Sequence, residues 1–143
     1  RDEAGNIYFV KQHRPSIQKD LLEIPAGIME KGEEAITCAQ RELQEEIGFM
    51  AKRWIPLGNF YTSPGFCNEY VHLFLAFDLK KSILKPDDDE SIEVVKIPED
   101  KVRHMLLDGT FEDLKTALGI FYFLEWQKHK EAIWPQKKHL FFS

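Results

Sequence analysis

The stretch RELQEEIG, Arg41 to Gly48, sets glutamates at 42, 45 and 46 on what its neighbours make a helix. From Glu33 to Ile47 the apolar residues Ile36, Ala39, Leu43 and Ile47 recur at helical spacing, and Gly48 stands where a C-cap glycine is expected. At about 100° per residue Glu42 and Glu46 are i,i+4 neighbours and Glu45 is i+3 from Glu42, so the carboxylates share one sector. A solvated acidic surface is the ordinary reading of such a run. Local features oppose it. Between Glu33 and Met50 the only cation is Arg41, so compensating i,i+4 lysines are missing. Glu45 and Glu46 occupy the last turn, where the helix dipole disfavours anions. Glu46 also falls beside Ala35 and Ala39 at the edge of the apolar stripe, where small side chains leave room for an approaching group. A hard divalent cation turns such clustered carboxylates into a ligand set, and Mg²⁺ or Mn²⁺ suits all-oxygen donors better than zinc.

Length and composition bound what surrounds this helix. At 143 residues the chain fits one domain, 1–143, with 43% hydrophobic and 13% aromatic residues, a globular composition. A formal net charge of −5 gives no broad cationic surface for nucleic acid or anionic lipid. Cys38 and Cys67 form no C-x-x-C pattern, which argues against a disulfide framework or thiolate zinc site and fits a reducing cytoplasm. The longest apolar runs fall short of the roughly 20 residues that span a bilayer, and no signal peptide is visible, so no membrane partner is expected.

Along the chain, Ile7 to Val10 and Leu21 to Ile24 read as short strands, the second ended by Pro25 and Gly27. Trp54 to Tyr61 and Tyr70 to Leu79 read as paired strands across the turn-like TSPGFCNE. After the acidic loop KPDDDE, Lys85 to Glu90, strand alternation returns from Ser91 to Ile97. Helices are expected over Pro98 to Leu107 and from Phe111 to about Lys130, with a basic, aromatic tail after Trp134. Strands interleaved with helices predict an α/β layered domain with a mixed sheet.

Read outward, Gly27, Glu33 and RELQEEIGF fit the pattern G-x5-E-x7-R-E-U-x-E-E-x-G-U, where U is a bulky apolar residue, here Leu43 and Phe49. On this pattern the chain resembles the Nudix hydrolases. EIPAG, Glu23 to Gly27, QHR ending at Arg14, and Pro64, sixteen residues beyond Gly48, resemble the ADP-ribose pyrophosphatase branch, as do DDDESIEV and FEDLKTALGI. The resemblance spans roughly Gly5 to Trp126 and implies an α/β/α sandwich. The branch usually carries an additional N-terminal strand region that swaps across a homodimer, whereas this sequence starts almost at the core.

The resemblance also implies roles. Glu42 and Glu46 would be the principal metal ligands, with Glu45 and the carbonyl of Ala26 completing the site and Arg41 orienting the cluster. Glu33 is expected to be structural, at the helix start. Arg14 would clamp phosphate through its planar fork. Ile28, Ser63, Pro64, Gly65 and Glu69 would contact substrate, the last four as a loop at the terminal ribose. Glu90 is the first candidate for a general base and Asp88 the second, since Asp88 falls where the branch has a glutamate but is shorter. An EF-hand reading of this loop fails for want of the glycine and distal glutamate. The histidines, His13, His72 and His104 among them, have no ligand spacing. The expected activity is Mg²⁺-dependent hydrolysis of a nucleoside diphosphate sugar, first ADP-ribose to AMP and ribose 5-phosphate. The rivals are another nucleotide sugar or a dinucleotide, or a non-catalytic nucleotide-binding module, against which the intact box speaks.

Overall fold

The computed structural model describes residues 1–82 and 92–129. The strands are β1 (Asn6–Arg14), β2 (Lys19–Glu23), β3 (Phe49–Tyr61), β4 (Tyr70–Lys81) and β5 (Ile92–Pro98); the helices are α1 (Ala35–Ile47), α2 (Glu99–Leu107) and α3 (Leu114–His129). β1 lies between β2 and β5 in one sheet, and β3 pairs with β4 in a second. Every pairing between described strands is antiparallel, so the parallel component expected of a mixed sheet is not among them.

The run IYFV explains why β1 is central. Its neighbours along the strand point to opposite faces, and both faces are covered. Phe9 is fully buried in a cluster with Val102 of α2, Ile120, Phe123 and Leu124 of α3, and Phe111. Val10 is buried on the other face with Leu43 and Ile47 of α1. A strand buried on both sides reads as a continuous apolar run rather than an alternation, and each such side chain contributes about 2 kcal/mol of burial. β4 repeats the division: Leu75 joins the α2 and α3 side, Ala76 and Leu79 the α1 side. Helices thus cover both faces of the strands, as the α/β/α expectation requires.

The elements run longer or shorter than the sequence suggests, for physical reasons. β3 begins at Phe49, not Trp54, because Phe49 and Ala51 pack on the α1 cluster while Lys52 and Arg53 face solvent. α3 begins at Leu114, not Phe111, because Asp113 caps it: the Asp113 carboxylate accepts the Thr116 backbone N–H at 2.9 Å. α1 ends as expected, with Gly48 left-handed at φ 73° and its N–H donated to Gln44 at 3.1 Å. The tail after Trp134 lies outside the described residues.

Candidate active site

The site is built where α1 meets the segment between β2 and α1. α1 buries Cys38, Leu43 and Ile47, which leaves Arg41, Glu42, Glu45 and Glu46 along its edge. Arg41, the lone cation of this stretch, is engaged on every side. Its guanidinium donates to Glu42 at 2.7 Å, Glu45 at 2.8 Å, both oxygens of Glu33 at 3.2 Å, and the carbonyl of Ile28 at 3.2 Å. With the Glu33 and Glu42 side chains only 10% and 14% exposed, solvent screens their repulsion poorly, and one guanidinium is what holds them together. The Glu33 hydrogen bond, followed by those from Glu42 and Glu45, keeps Arg41 protonated far above any accessible pH. Arg41, and then the Glu30 backbone N–H, holds the Glu33 carboxyl below its ordinary value.

Glu33, expected to be structural at the helix start, makes its contacts from ahead of the helix. It stands two residues before α1 rather than in its first turn, folds the loop back by accepting the Glu30 N–H at 2.9 Å, and anchors Arg41.

The other wall is Pro25-Ala26-Gly27. The Ala26 N–H donates to Glu46 at 3.0 Å. Gly27 sits so close to Glu42 that an added Cβ would lie 1.8 Å from a carboxylate oxygen. Glycine is needed here for close approach rather than for an unusual backbone angle.

A cleft of about 930 Å³ opens from these groups between the sheets, and Arg14, Ala26, Gly27, Ile28, Glu42, Glu45 and Glu69 line it. Glu69 thus joins the box residues, its carboxylate held by the Thr62 hydroxyl at 2.7 Å. Ser63, Pro64 and Gly65 do not line this cleft; Ser63 starts a turn that accepts the Phe66 and Cys67 N–H groups, and Pro64 borders a separate open depression with Tyr61 and Phe66. Ile28 is 89% exposed, and its carbonyl accepts from Arg41. Asp88 and Glu90 lie outside the described residues. The flanking Ser82 and Ile92 both contact the α1 side, Ser82 through Gln44 at 3.0 Å and Ile92 through the Val10, Leu43 and Ile47 cluster.

Arg14 faces the cleft already paired. Its fork meets both oxygens of Glu23, at 2.6 and 2.7 Å, and Glu23 is 1% exposed. This buried acid, with Lys115 at 3.7 Å, is the residue that sequence reasoning passed over. Thr116, fully buried, accepts the Ile24 N–H at 2.8 Å and donates to Asp113 at 2.7 Å. Only the Asp113 cap signal ahead of α3 could have pointed to this group.

The carboxylates of Glu42, Glu45 and Glu46 and the backbone oxygens beside them are donors that suit a hard divalent cation; Cys38 and His72 also line the cleft. Among the described residues, however, no group of three or more His, Cys, Asp or Glu side chains converges on one point. Glu42 and Glu45 are both turned toward Arg41.

The sequence profile of the NUDIX domain matches residues 1–118, Gly27, Glu33 and the Arg41–Gly48 box included. The chain belongs to the NUDIX family. Among NUDIX relatives, an ADP-ribose pyrophosphatase of Bacillus subtilis is 41% identical over 94% of this chain and 72% of its own length. A protein of Bacillus methanolicus named methanol dehydrogenase activator is 36% identical over 88% of this chain and 70% of its own. A crystal structure of an ADP compounds hydrolase superposes with a TM-score of 0.81 at 24% identity, covering 89% of this chain and 69% of that one, which supports the fold. NUDIX hydrolases are generally dependent on divalent metal. No helix among the described residues is long and apolar enough to cross a membrane.

Proposed function

We propose that the chain hydrolyses the pyrophosphate bond of a nucleoside diphosphate sugar, with ADP-ribose as its first substrate and AMP and ribose 5-phosphate as products. The observation that carries this reading is the meeting, in one cleft, of the Arg41-gathered carboxylates, the Ala26-Gly27 wall and Glu69. The 41% identical ADP-ribose pyrophosphatase agrees with it.

Glu42, Glu45, Glu46 and the Ala26 carbonyl would hold Mg²⁺, or Mn²⁺ in its place. When bound, the metal supplies neutralisation of the diphosphate charge and a lowered pKa for water. The chain's own residues supply the rest. Arg41 keeps the carboxylates oriented; Gly27 lets Glu42 approach the backbone closely; Arg14, held at the cleft by Glu23 through Nε and Nη2, meets a phosphoryl group with the guanidinium N–H groups that Glu23 leaves. Glu69 and Ile28 border the sugar side, with Ser63, Pro64 and Gly65 contributing through the loop that Glu69 closes. Glu90 accepts the proton of the attacking water, with Asp88 the alternative. The protein works as a cytoplasmic homodimer.

The test is a product assay over a nucleotide-sugar panel with Mg²⁺, using wild type and Glu46→Gln. ADP-ribose should be cleaved fastest, and the variant should lose at least 100-fold in kcat. Cleavage of no panel member would end the enzyme reading. The 36% identical methanol dehydrogenase activator favours a second reading, action on a partner enzyme, which that null result would leave standing.

A further inference from the structure

The residues gripping the Ala26-Gly27 wall from behind come from the far end of the chain. Ile24 precedes Pro25, so its backbone is confined to extended conformations and Pro25 has a fixed φ. Whatever holds Ile24 therefore aims Ala26, whose N–H meets Glu46 at 3.0 Å, and Gly27, which packs on Glu42.

Ile24 is held by α3. Its N–H donates to the Thr116 hydroxyl at 2.8 Å, and that hydroxyl spends its own proton on Asp113 at 2.7 Å. Asp113 is fixed in turn by the Thr116 backbone N–H at 2.9 Å and by Lys115 at 2.8 Å. The contact is tight on the next turn of α3 as well, where a Cβ on Gly119 would lie 3.2 Å from the Ile24 Cδ1. Thr116 is fully buried, so no water can replace its hydroxyl without rearrangement, and loss of that oxygen leaves a donor unsatisfied.

We infer that Thr116, oriented by Asp113, is a positioning residue: its hydroxyl fixes the Ile24–Gly27 wall against Glu42 and Glu46 and thereby sets turnover. This rests on the pyrophosphohydrolase reading above for its kinetic half alone. A misplacement on the order of 1 Å in such a wall costs up to about 100-fold in rate, whereas substrate binding, made elsewhere in the cleft, changes little.

Thr116→Val, Thr116→Ser and Asp113→Ala are compared with wild type by steady-state kinetics on ADP-ribose and by amide hydrogen exchange. Thr116→Val should lower kcat about 10- to 100-fold with KM within about threefold, and should speed exchange of the Ala26 and Gly27 amides while α1 stays protected. Thr116→Ser should restore both. Asp113→Ala, which frees the hydroxyl to rotate, should change kcat and exchange in the same direction by at least threefold; it decides the matter if Thr116→Val does not fold. Unchanged exchange and kcat in the folded variants, or a serine variant as impaired as the valine one, would overturn the inference. If wild type cleaves no nucleotide sugar, the exchange results still judge the tie, so the two failures are distinct.

Discussion

Replacing Gly27 with alanine tests the geometry at its tightest point. A Cβ built there lies 1.8 Å from one Glu42 oxygen, 1.9 Å from its carboxyl carbon and 2.4 Å from the other oxygen. Ordinary contact requires the Glu42 carboxylate to withdraw by roughly 1.5 Å. The side chain can do so, since it is the far end of a flexible glutamate, and Gly27 has no left-handed backbone to strain. The fold should therefore survive, with a melting shift of no more than a few degrees, equivalent to about 1 kcal/mol. Function should not survive. A displacement of this size moves a carboxylate proposed to hold the metal and, through their shared guanidinium, disturbs Glu45, so kcat should fall on the order of 100-fold. Mg²⁺ titrated by calorimetry should bind at least about tenfold more weakly. The assay pairs that titration with initial rates on ADP-ribose. Wild-type kcat and Mg²⁺ affinity in a folded Gly27→Ala protein would refute the reasoning, because Glu42 would then be working from some position other than the one against Gly27.

Glu23→Ala removes a carboxylate that is 1% exposed and leaves Arg14 and Lys115 facing each other. Breaking a fully buried pair costs about 3–5 kcal/mol; Arg14 is 39% exposed and can turn to water, so about 2 kcal/mol is expected, read as the change in urea-unfolding free energy. Asp113 supplies a pH dependence. Its burial favours the neutral acid, but hydrogen bonds from Lys115 and Thr116 outweigh this and hold its pKa below the ordinary value. The stability it contributes is therefore fully present above the unfolded-state pKa near 4 and is lost as pH falls through the lower folded value. Melting curves of wild type and Asp113→Asn should be furthest apart above about pH 5 and converge toward pH 2; a constant difference would exclude a role for the ionised carboxylate.

How much was legible depended on the distance between partners. α1 could be read because its evidence is local: the apolar period, the αL glycine, and the breach of pairing and dipole rules by neighbouring glutamates. The role of Arg41 was half legible. Its being the one cation was plain, but its reach back to Glu33 and the Ile28 carbonyl depends on how the loop folds. Glu23 was not legible as a buried acid, since an acid ending a short strand looks the same in sequence whether it meets solvent or a guanidinium. Thr116 was hidden for a stronger reason: its partner Ile24 is 92 residues away, beyond any periodicity. Phe111 misled in the opposite direction, because it is buried against Phe9 at 5.1 Å between ring centroids and so continues the apolar pattern of α3 ahead of its cap.

The span between Ile24 and Thr116 also orders events during synthesis. At 5–20 residues per second, roughly 5–20 s separate the emergence of the two, and closing so long a loop is an entropic cost that local helix formation does not share. The nascent chain thus displays all of its signature carboxylates while the hydroxyl that anchors their facing wall has yet to be made. A competent site is a property of the finished fold, and the residues that identify the family are not the last ones needed to complete it.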